Sequence, residues 1–266
     1  ADIIARSDNW AAGPEILDIN GDGHLDLVLT GNWDGSWDNG SIYVLINDGQ
    51  GNFTRTDYAK YDFPGQPRIG HEVNRNTPVG AMFGDYNGDG VIDLAYMTQR
   101  QDFNGVGILP GTRPGEFGRS RSIPWISDMY SLSEIHPGDY NGDGIIDLLS
   151  LRSAEMFLGN GDGTFAEPFP AYNVVRSDVF GATADFNLNG LPDIVATRAN
   201  QHGSRIYVAL SNGDGTLSVS WDAPAEGSFY GYSAIKIEDF NNDGYPDIIA
   251  KASVERHIDV FLNDPE

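Results

Sequence analysis

Oxygen-bearing side chains recur at a fixed spacing in five nine-residue segments of this chain. In the first segment, Asp18, Asn20, Asp22 and Asp26 stand at positions 1, 3, 5 and 9, and Gly23 stands at position 6. Side-chain oxygens at alternate positions, with a main-chain carbonyl at position 7, are the hard ligands that Ca²⁺ prefers, and the glycine permits a sharp turn. We call these segments acidic loops 1 to 5: residues 18–26, 85–93, 139–147, 185–193 and 239–247.

Each acidic loop is predicted to bind one Ca²⁺, which gives up to five structural ions. The loops open like an EF-hand loop, but position 12 falls in an apolar strand and is never Glu, so Asp at position 9 is expected to supply the closing carboxylate. Mg²⁺ fits less well because it favours small octahedral sites that keep several waters. The predicted ligands, with position 7 acting through its carbonyl, are Asp18, Asn20, Asp22, His24, Asp26, Asp85, Asn87, Asp89, Val91, Asp93, Asp139, Asn141, Asp143, Ile145, Asp147, Asp185, Asn187, Asn189, Leu191, Asp193, Asp239, Asn241, Asp243, Tyr245 and Asp247.

The bulk composition narrows the classes of partner. The formal net charge of −23 argues against nucleic acid, because phosphate binding needs a positive surface. The absence of cysteine excludes disulfides and thiol nucleophiles. No apolar run is long enough to predict a membrane span.

The acidic loops also set the period of the chain, and that period predicts the fold. Successive loops start at residues 18, 85, 139, 185 and 239, which is the spacing of propeller blades. Within a repeat we predict a strand, the acidic loop, a second strand, a variable loop, a third strand with alternating pattern such as 42–46 or 206–210, a Gly/Asp/Asn turn, and a fourth strand. The fourth strands are expected to open at Phe53, Phe117, Phe165 and Leu217.

We therefore predict a single all-β domain over residues 1–266, a five-bladed β-propeller with four-stranded antiparallel blades. The last repeat stops before its fourth strand, and residues 2–6 precede the first repeat, so the N-terminal strand is expected to close the ring. The alternative is a fragment of a larger six- to eight-bladed ring.

These loops resemble the FG-GAP/VCBS family of calcium-binding β-propeller repeats, found in integrin α-subunit heads and in secreted proteins. The family pattern, Asp-x-Asn-x-Asp-Gly-x-x-Asp before an apolar strand, is met at all five loops, with Asn189 replacing the Asp of position 5 in loop 4. The resemblance implies a secreted, extracellular protein in which calcium is chiefly structural. The lost charge in loop 4 implies weaker binding there.

The face opposite the acidic loops is predicted to carry the ligand site. The strand 2–3 loops and the connections between blades collect Arg, Trp, Tyr and His, which suit a glycan, possibly acidic, or an extracellular protein. The functional hypothesis is a lectin-like or adhesion module. The candidate ligand-binding residues are Trp33, Trp37, Arg68, His71, Glu72, Arg75, Arg100, Trp125, Arg176, Arg198, His202, Tyr230 and Arg256.

Two alternatives stay open. One is a carbohydrate-active enzyme, either a polysaccharide lyase or a glycoside hydrolase, and the other is a purely structural repeat of a larger surface protein. No spacing selects catalytic residues, so enzymatic activity is the less favoured hypothesis. The candidates for acid–base roles would be Asp34, Asp38, Glu72, Asp102, Asp128, Glu134, Glu155, Asp178 and Glu255, with His71, His136 or Tyr130 as a lyase base.

Overall fold

A computed structural model describes residues 15–32, 40–59, 77–99, 104–118, 121–125, 135–151, 153–172, 181–200, 203–224, 232–252 and 257–264. These residues form strands and turns, with no helix among them. The chain divides into two compact units, and each is described by itself: Ala1–Ser133 with Asn160–Thr164, and Glu134–Gly159 with Phe165–Glu266. The segment 2–6, predicted to close a ring, lies outside the described residues.

The first unit contains two four-stranded antiparallel sheets, blades 1 and 2, and a short hairpin. Blade 1 has the order β1-β2-β3-β4, and blade 2 has the order β10-β7-β6-β5, while β8 and β9 pair with each other. The strands are β1 Glu15–Leu17, β2 Asp26–Asn32, β3 Gly40–Asn47, β4 Phe53–Ala59, β5 Thr77–Gly84, β6 Asp93–Gln99, β7 Asn104–Leu109, β8 Gly111–Arg113, β9 Glu116–Phe117 and β10 Arg121–Trp125.

The second unit contains blades 3, 4 and 5, with strand orders β11-β12-β13-β14, β15-β16-β17-β18 and β19-β20-β21. All neighbouring strands are antiparallel. Blade 5 has three strands in the described part of the chain. The strands are β11 Ile135–Gly138, β12 Asp147–Ser150, β13 Glu155–Phe157, β14 Phe169–Pro170, β15 Gly181–Ala184, β16 Asp193–Asn200, β17 Gly203–Ser211, β18 Leu217–Pro224, β19 Tyr232–Glu238, β20 Asp247–Ala252 and β21 Ile258–Phe261.

In every blade the acidic loop joins the first strand to the second, as the sequence predicts. Loop 3, for example, leaves β11 at Gly138 and enters β12 at Asp147, and the two residues are paired across the sheet. The second strand follows the loop directly, so position 9 is the first residue of that strand in all five blades.

Two fourth strands begin later than the sequence predicts. Phe117 lies in the short hairpin of β8 and β9, so the fourth strand of blade 2 begins at Arg121. Phe165 makes only an isolated bridge with Gly159, and the fourth strand of blade 3 begins at Phe169. In both blades this Phe pairs with a Gly that precedes the turn after the third strand, so the fourth strand begins further along the chain.

The hydrophobic core lies between neighbouring sheets within each unit. In the second unit one apolar cluster joins blades 3 and 4, and another joins blades 4 and 5. A third cluster, in the first unit, joins blades 1 and 2. Because β17 is covered on both faces, residues 206–209 are all buried and the predicted alternation is absent there. In β21 the alternation is present.

Candidate functional site

The carboxylate at position 1 organises each acidic loop. Its Oδ1 accepts the N–H of position 5 at 2.9–3.1 Å, and its Oδ2 accepts the N–H of position 6 at 2.7–2.9 Å. The same two bonds occur in all five loops. The position-1 carboxylate therefore folds positions 5 and 6 of the loop back over position 1.

Positions 3 and 5 continue the same pattern. The Asn oxygen at position 3 accepts the N–H of position 5 at 2.9–3.0 Å, and Oδ1 of position 5 accepts the N–H of position 7 at 2.8 Å. Loop 4 keeps these bonds with Asn189 at position 5. The geometry of the loop is thus set by its own backbone amides and does not depend on the charge at position 5.

Two positions of each loop have a left-handed backbone, and the sequence pattern identifies only one of them. Position 6 is Gly with φ of 80–91° in every loop, as expected. Position 4 is also left-handed in every loop, although it is Gly only in loops 1 to 3. In loops 4 and 5 it is Leu188, with φ of 56°, and Asn242, with φ of 61°.

The Asp at position 9 has a structural role that the sequence does not reveal. All five of these residues are fully buried, and in Asp147 Oδ2 accepts the N–H of Tyr140 at 3.0 Å while Oδ1 accepts that of Gly159 at 2.9 Å. The equivalent bonds, to position 2 and to a residue at or two residues beyond the end of the third strand, occur in every loop. This carboxylate therefore joins the acidic loop, the second strand and the third strand.

Burial makes the position-9 carboxylates of loops 2, 3 and 4 harder to ionise. Desolvation raises the pKa of Asp93 and Asp193, and it raises the pKa of Asp147 to about 6. The two accepted amide bonds act against that shift, and the charges at positions 1 and 5, such as Asp139 and Asp143, add to it. In loops 2, 3 and 4 the charges of the loop therefore act on the buried carboxylate at the start of the second strand.

The oxygens of the acidic loops suit a hard divalent cation. Each carboxylate oxygen can accept more than one partner, so a bonded amide leaves capacity for a cation. Within the described ranges no group of three or more His, Cys, Asp or Glu side chains could hold a metal ion. The donor set predicted from the sequence includes, besides carboxylates, the Asn oxygen and the position-7 carbonyl of each loop. Whether the buried position-9 carboxylate also contacts the ion stays a prediction.

Turns that follow third strands lie against acidic loops within each unit. Gly163 N–H donates to the carbonyl of Tyr86, position 2 of loop 2, at 3.0 Å. Asn263 Nδ2 donates to the carbonyl of Phe186, position 2 of loop 4, at 2.8 Å. Beside loop 2 this leaves a cavity of about 290 Å³ lined in part by Asp89 and Asp162. Loops 2 and 4 are therefore held by hydrogen bonds from these turns as well as by their own bonds.

The candidate residues of the opposite face are mostly not described. Trp125 and Arg198 lie in β10 and β16, with side chains outside the described set. Among the possible catalytic groups, Glu155 lies in β13 and His136 in β11, where its carbonyl accepts the Tyr140 hydroxyl at 3.3 Å. The candidates outside the described residues are Trp33, Trp37, Arg68, His71, Glu72, Arg75, Arg100, Arg176, His202, Tyr230 and Arg256.

The antiparallel blades, each with an acidic loop between its first and second strands, define a repeat protein of the β-propeller class. Four overlapping segments, 18–96, 85–150, 139–196 and 185–250, match the FG-GAP-like repeat, and each match starts at position 1 of an acidic loop. The chain belongs to the FG-GAP-like repeat family. No curated protein matches the sequence.

Two solved structures are similar in fold. One is an Agrocybe aegerita lectin, described by its specific recognition of non-reducing terminal N-acetylglucosamine, with a TM-score of 0.58 and 19% identity over 96% of this chain and 66% of that one. The other is the V. cholerae biofilm matrix protein Bap1, with a TM-score of 0.48 and 20% identity over 85% of this chain and 30% of that one. This chain spans less than two thirds of either protein. The likeness to the lectin shows the fold, a five-bladed β-propeller. In the described residues no helix has the length and apolarity to cross a membrane.

Proposed function

We propose that this chain is a calcium-stabilised, extracellular glycan-binding module. The observation that carries the calcium part is the uniformity of the acidic loops, in which the same oxygens at positions 1, 3 and 5 are drawn onto the same amides five times. Bound Ca²⁺ would supply the positive charge that offsets the carboxylates clustered in each loop. Positions 1, 3 and 5 and the carbonyl of position 7 would hold it.

The glycan part is supported by the fold. An Agrocybe aegerita lectin shares that fold with this chain at a TM-score of 0.58. The aromatic and Arg-rich loops predicted opposite the acidic loops have the side chains that glycans use, since rings stack on aromatic faces and Arg binds carboxylates in bidentate fashion. An extracellular location would supply enough free Ca²⁺ to fill even weak loops.

Thermal unfolding in Ca²⁺, in Mg²⁺ and in EDTA tests the calcium part. A ligand that binds only the folded state adds about 3 kcal/mol to the free energy of unfolding for each site at a free concentration about 100 times its Kd. We expect a large rise in Tm with Ca²⁺, a much smaller one with Mg²⁺, and bound calcium by elemental analysis. An unchanged Tm and no bound calcium would refute it.

A glycan array tests the other part. The calcium-loaded chain should bind a restricted set of glycans, and EDTA should abolish that binding. Incubation with pectin, heparin-like and arabinan substrates provides the contrast, because release of reducing ends or unsaturated products would identify an enzyme and contradict the binding module.

A further inference from the structure

Blade 5 carries a polar cluster that the acidic loops do not explain. Tyr232 in β19 is almost fully buried, and its hydroxyl donates to Asp259 Oδ2 in β21 at 2.5 Å. The ring reaches across β20, where Ala250 and Ala252 are paired with Asp259 and Tyr232 and leave room for it. His257 Nε2 lies 3.4 Å from the same oxygen. The carboxylate is therefore held at a fixed place and orientation.

Two further aromatic side chains, Phe261 and Trp221, lie near this carboxylate. Phe261 follows Asp259 by two residues in β21 and so shares its face of the sheet. Its ring lies 6.5 Å from Tyr232 and 5.3 Å from Trp221, both edge-on. Trp221 belongs to β18 of blade 4 and is 38% exposed, so its ring is only partly used in packing. We call Trp221, Tyr232, His257, Asp259 and Phe261 the flank cluster.

The flank cluster presents two hydrogen-bonding groups that have no partner in the described part of the chain. The Tyr232 hydroxyl and the His257 Nε2 atom both lie at Oδ2 of Asp259, and within the described residues no donor reaches Oδ1. The Trp221 indole N–H likewise donates to no residue in the described part of the chain. The side chains of Asp259 and His257 are 29% and 37% exposed, so the acceptor is accessible to a ligand.

An oriented acceptor, a free donor and an exposed aromatic ring within one cluster match the chemistry of a sugar. A pyranose has a face of C–H groups that stacks on an aromatic ring, and hydroxyl groups around its edge that donate to a carboxylate. An acidic sugar would place its charge beside Asp259 on a chain of net charge −23. The cluster therefore favours a neutral sugar over an acidic one.

We propose that the flank cluster is a binding site for a neutral pyranose. Trp221 stacks on the ring, Asp259 Oδ1 accepts a hydroxyl or acetamido N–H, and Tyr232 and His257 hold the carboxylate in position. The proposal rests on the glycan-binding function and deepens it, because it places a site between blades 4 and 5 and specifies an uncharged sugar.

The test uses the full calcium-loaded chain with N-acetylglucosamine, galactose and mannose as neutral probes and glucuronate as the acidic one. We expect at least one neutral sugar to bind more tightly than glucuronate. Trp221→Ala and Asp259→Asn should each weaken that binding by about tenfold or more, and Trp221→Phe should keep part of it. Asp222→Asn is the matched control. Asp222 follows Trp221 in β18, and its carboxylate is bonded to Arg205, so its loss should leave the affinity unchanged.

A second readout covers the case in which a variant fails to fold. Fluorotryptophan labelling of the unsubstituted chain gives one resonance for Trp221, assigned by its absence in Trp221→Phe, and that resonance should shift as the sugar saturates. A sugar that binds while this resonance stays fixed, or while Trp221→Ala and Asp259→Asn bind normally, overturns the flank site and leaves the glycan-binding function intact. If the unsubstituted chain binds no glycan, both fail.

Discussion

Each acidic loop is nine consecutive residues that bond largely to one another, whereas the flank cluster gathers side chains from three strands of two sheets. The loop recurs five times with the same hydrogen bonds, and the cluster occurs once in the described residues. A repeated local device leaves a period in the sequence. A site assembled from distant strands has no such period, so it is found only when the pairing and packing of the sheets are known.

The same contrast exists inside one loop. Position 5 is exposed in every loop, positions 1 and 3 are half-buried or exposed, and all three bond to nearby amides. Position 9 is buried and bonds to an amide at or just beyond the end of the third strand. Water can replace an exposed hydrogen bond but not a buried one. The nine residues therefore combine a half that we propose binds the cation with a half that belongs to the core of the blade.

The largest expected effect comes from removing the buried half. In EDTA, Asp147→Ala should lower the free energy of unfolding by about 2–5 kcal/mol, because the buried amide of Tyr140 and the half-buried amide of Gly159 lose their acceptor. Urea unfolding of the metal-free chain measures it.

Asp143→Ala is the matched control in the same loop. Asp143 is exposed, so its loss should cost much less without metal, and its effect should grow when Ca²⁺ is added. Equal costs for Asp143→Ala and Asp147→Ala in EDTA would contradict the division of the loop into two halves.

The features that the sequence predicts are those formed within one acidic loop, and the features that it misses depend on contacts with other strands. The five blades and the place of every acidic loop follow from the period, because each loop begins and ends within its own residues. The delayed fourth strands at Arg121 and Phe169 do not, because the turn before each strand is closed by Phe117 or Phe165. The second hydrogen-bond partner of position 9, such as Gly159, cannot be predicted from the sequence either, since it lies just beyond the end of another strand.

The flank cluster shows the other limit. Tyr232, Asp259 and Trp221 have no informative spacing, and only the pairing of β19, β20 and β21 brings the first two together. The predicted ligand face drew on residue types alone, and most of its candidates lie outside the described residues. That face is predicted to bind a glycan, with an acidic one as an option, or an extracellular protein, and the neutral sugar proposed for the flank cluster is a separate hypothesis.

Charge at position 5 gives the next largest effect. Loop 4 keeps the bonds to backbone amides with Asn189, but it lacks the bond from the position-3 amide to the position-5 carboxylate that loops 1, 3 and 5 have. Its calcium affinity should therefore differ mainly through the charge at position 5. Asn189→Asp should tighten binding to that loop by about tenfold, since ligand charge tunes calcium affinity. Calorimetric titration with Ca²⁺ measures it.

The reverse change, Asp143→Asn in loop 3, should weaken one site by a similar factor. The metal-free stabilities should move the opposite way, because Asn189→Asp adds carboxylate repulsion that only a cation relieves. A change in loop 4 that leaves every calcium affinity unaltered would mean that position 5 is not a ligand.

The smallest effect tests the backbone of the loop rather than its charges. Position 4 is left-handed in all five loops, yet loop 4 places Leu188 there with φ of 56° and its side chain 52% exposed. A left-handed non-glycine residue costs roughly 1–2 kcal/mol, while glycine loses more conformational freedom on folding, so Leu188→Gly should stabilise the chain by about 0.5–1 kcal/mol. Asn242→Gly in loop 5 should give less, because Asn tolerates this conformation. Thermal unfolding of both variants measures the difference, and a Leu188→Gly variant less stable than the unsubstituted chain would show that the exposed leucine makes a contact worth more than the backbone strain.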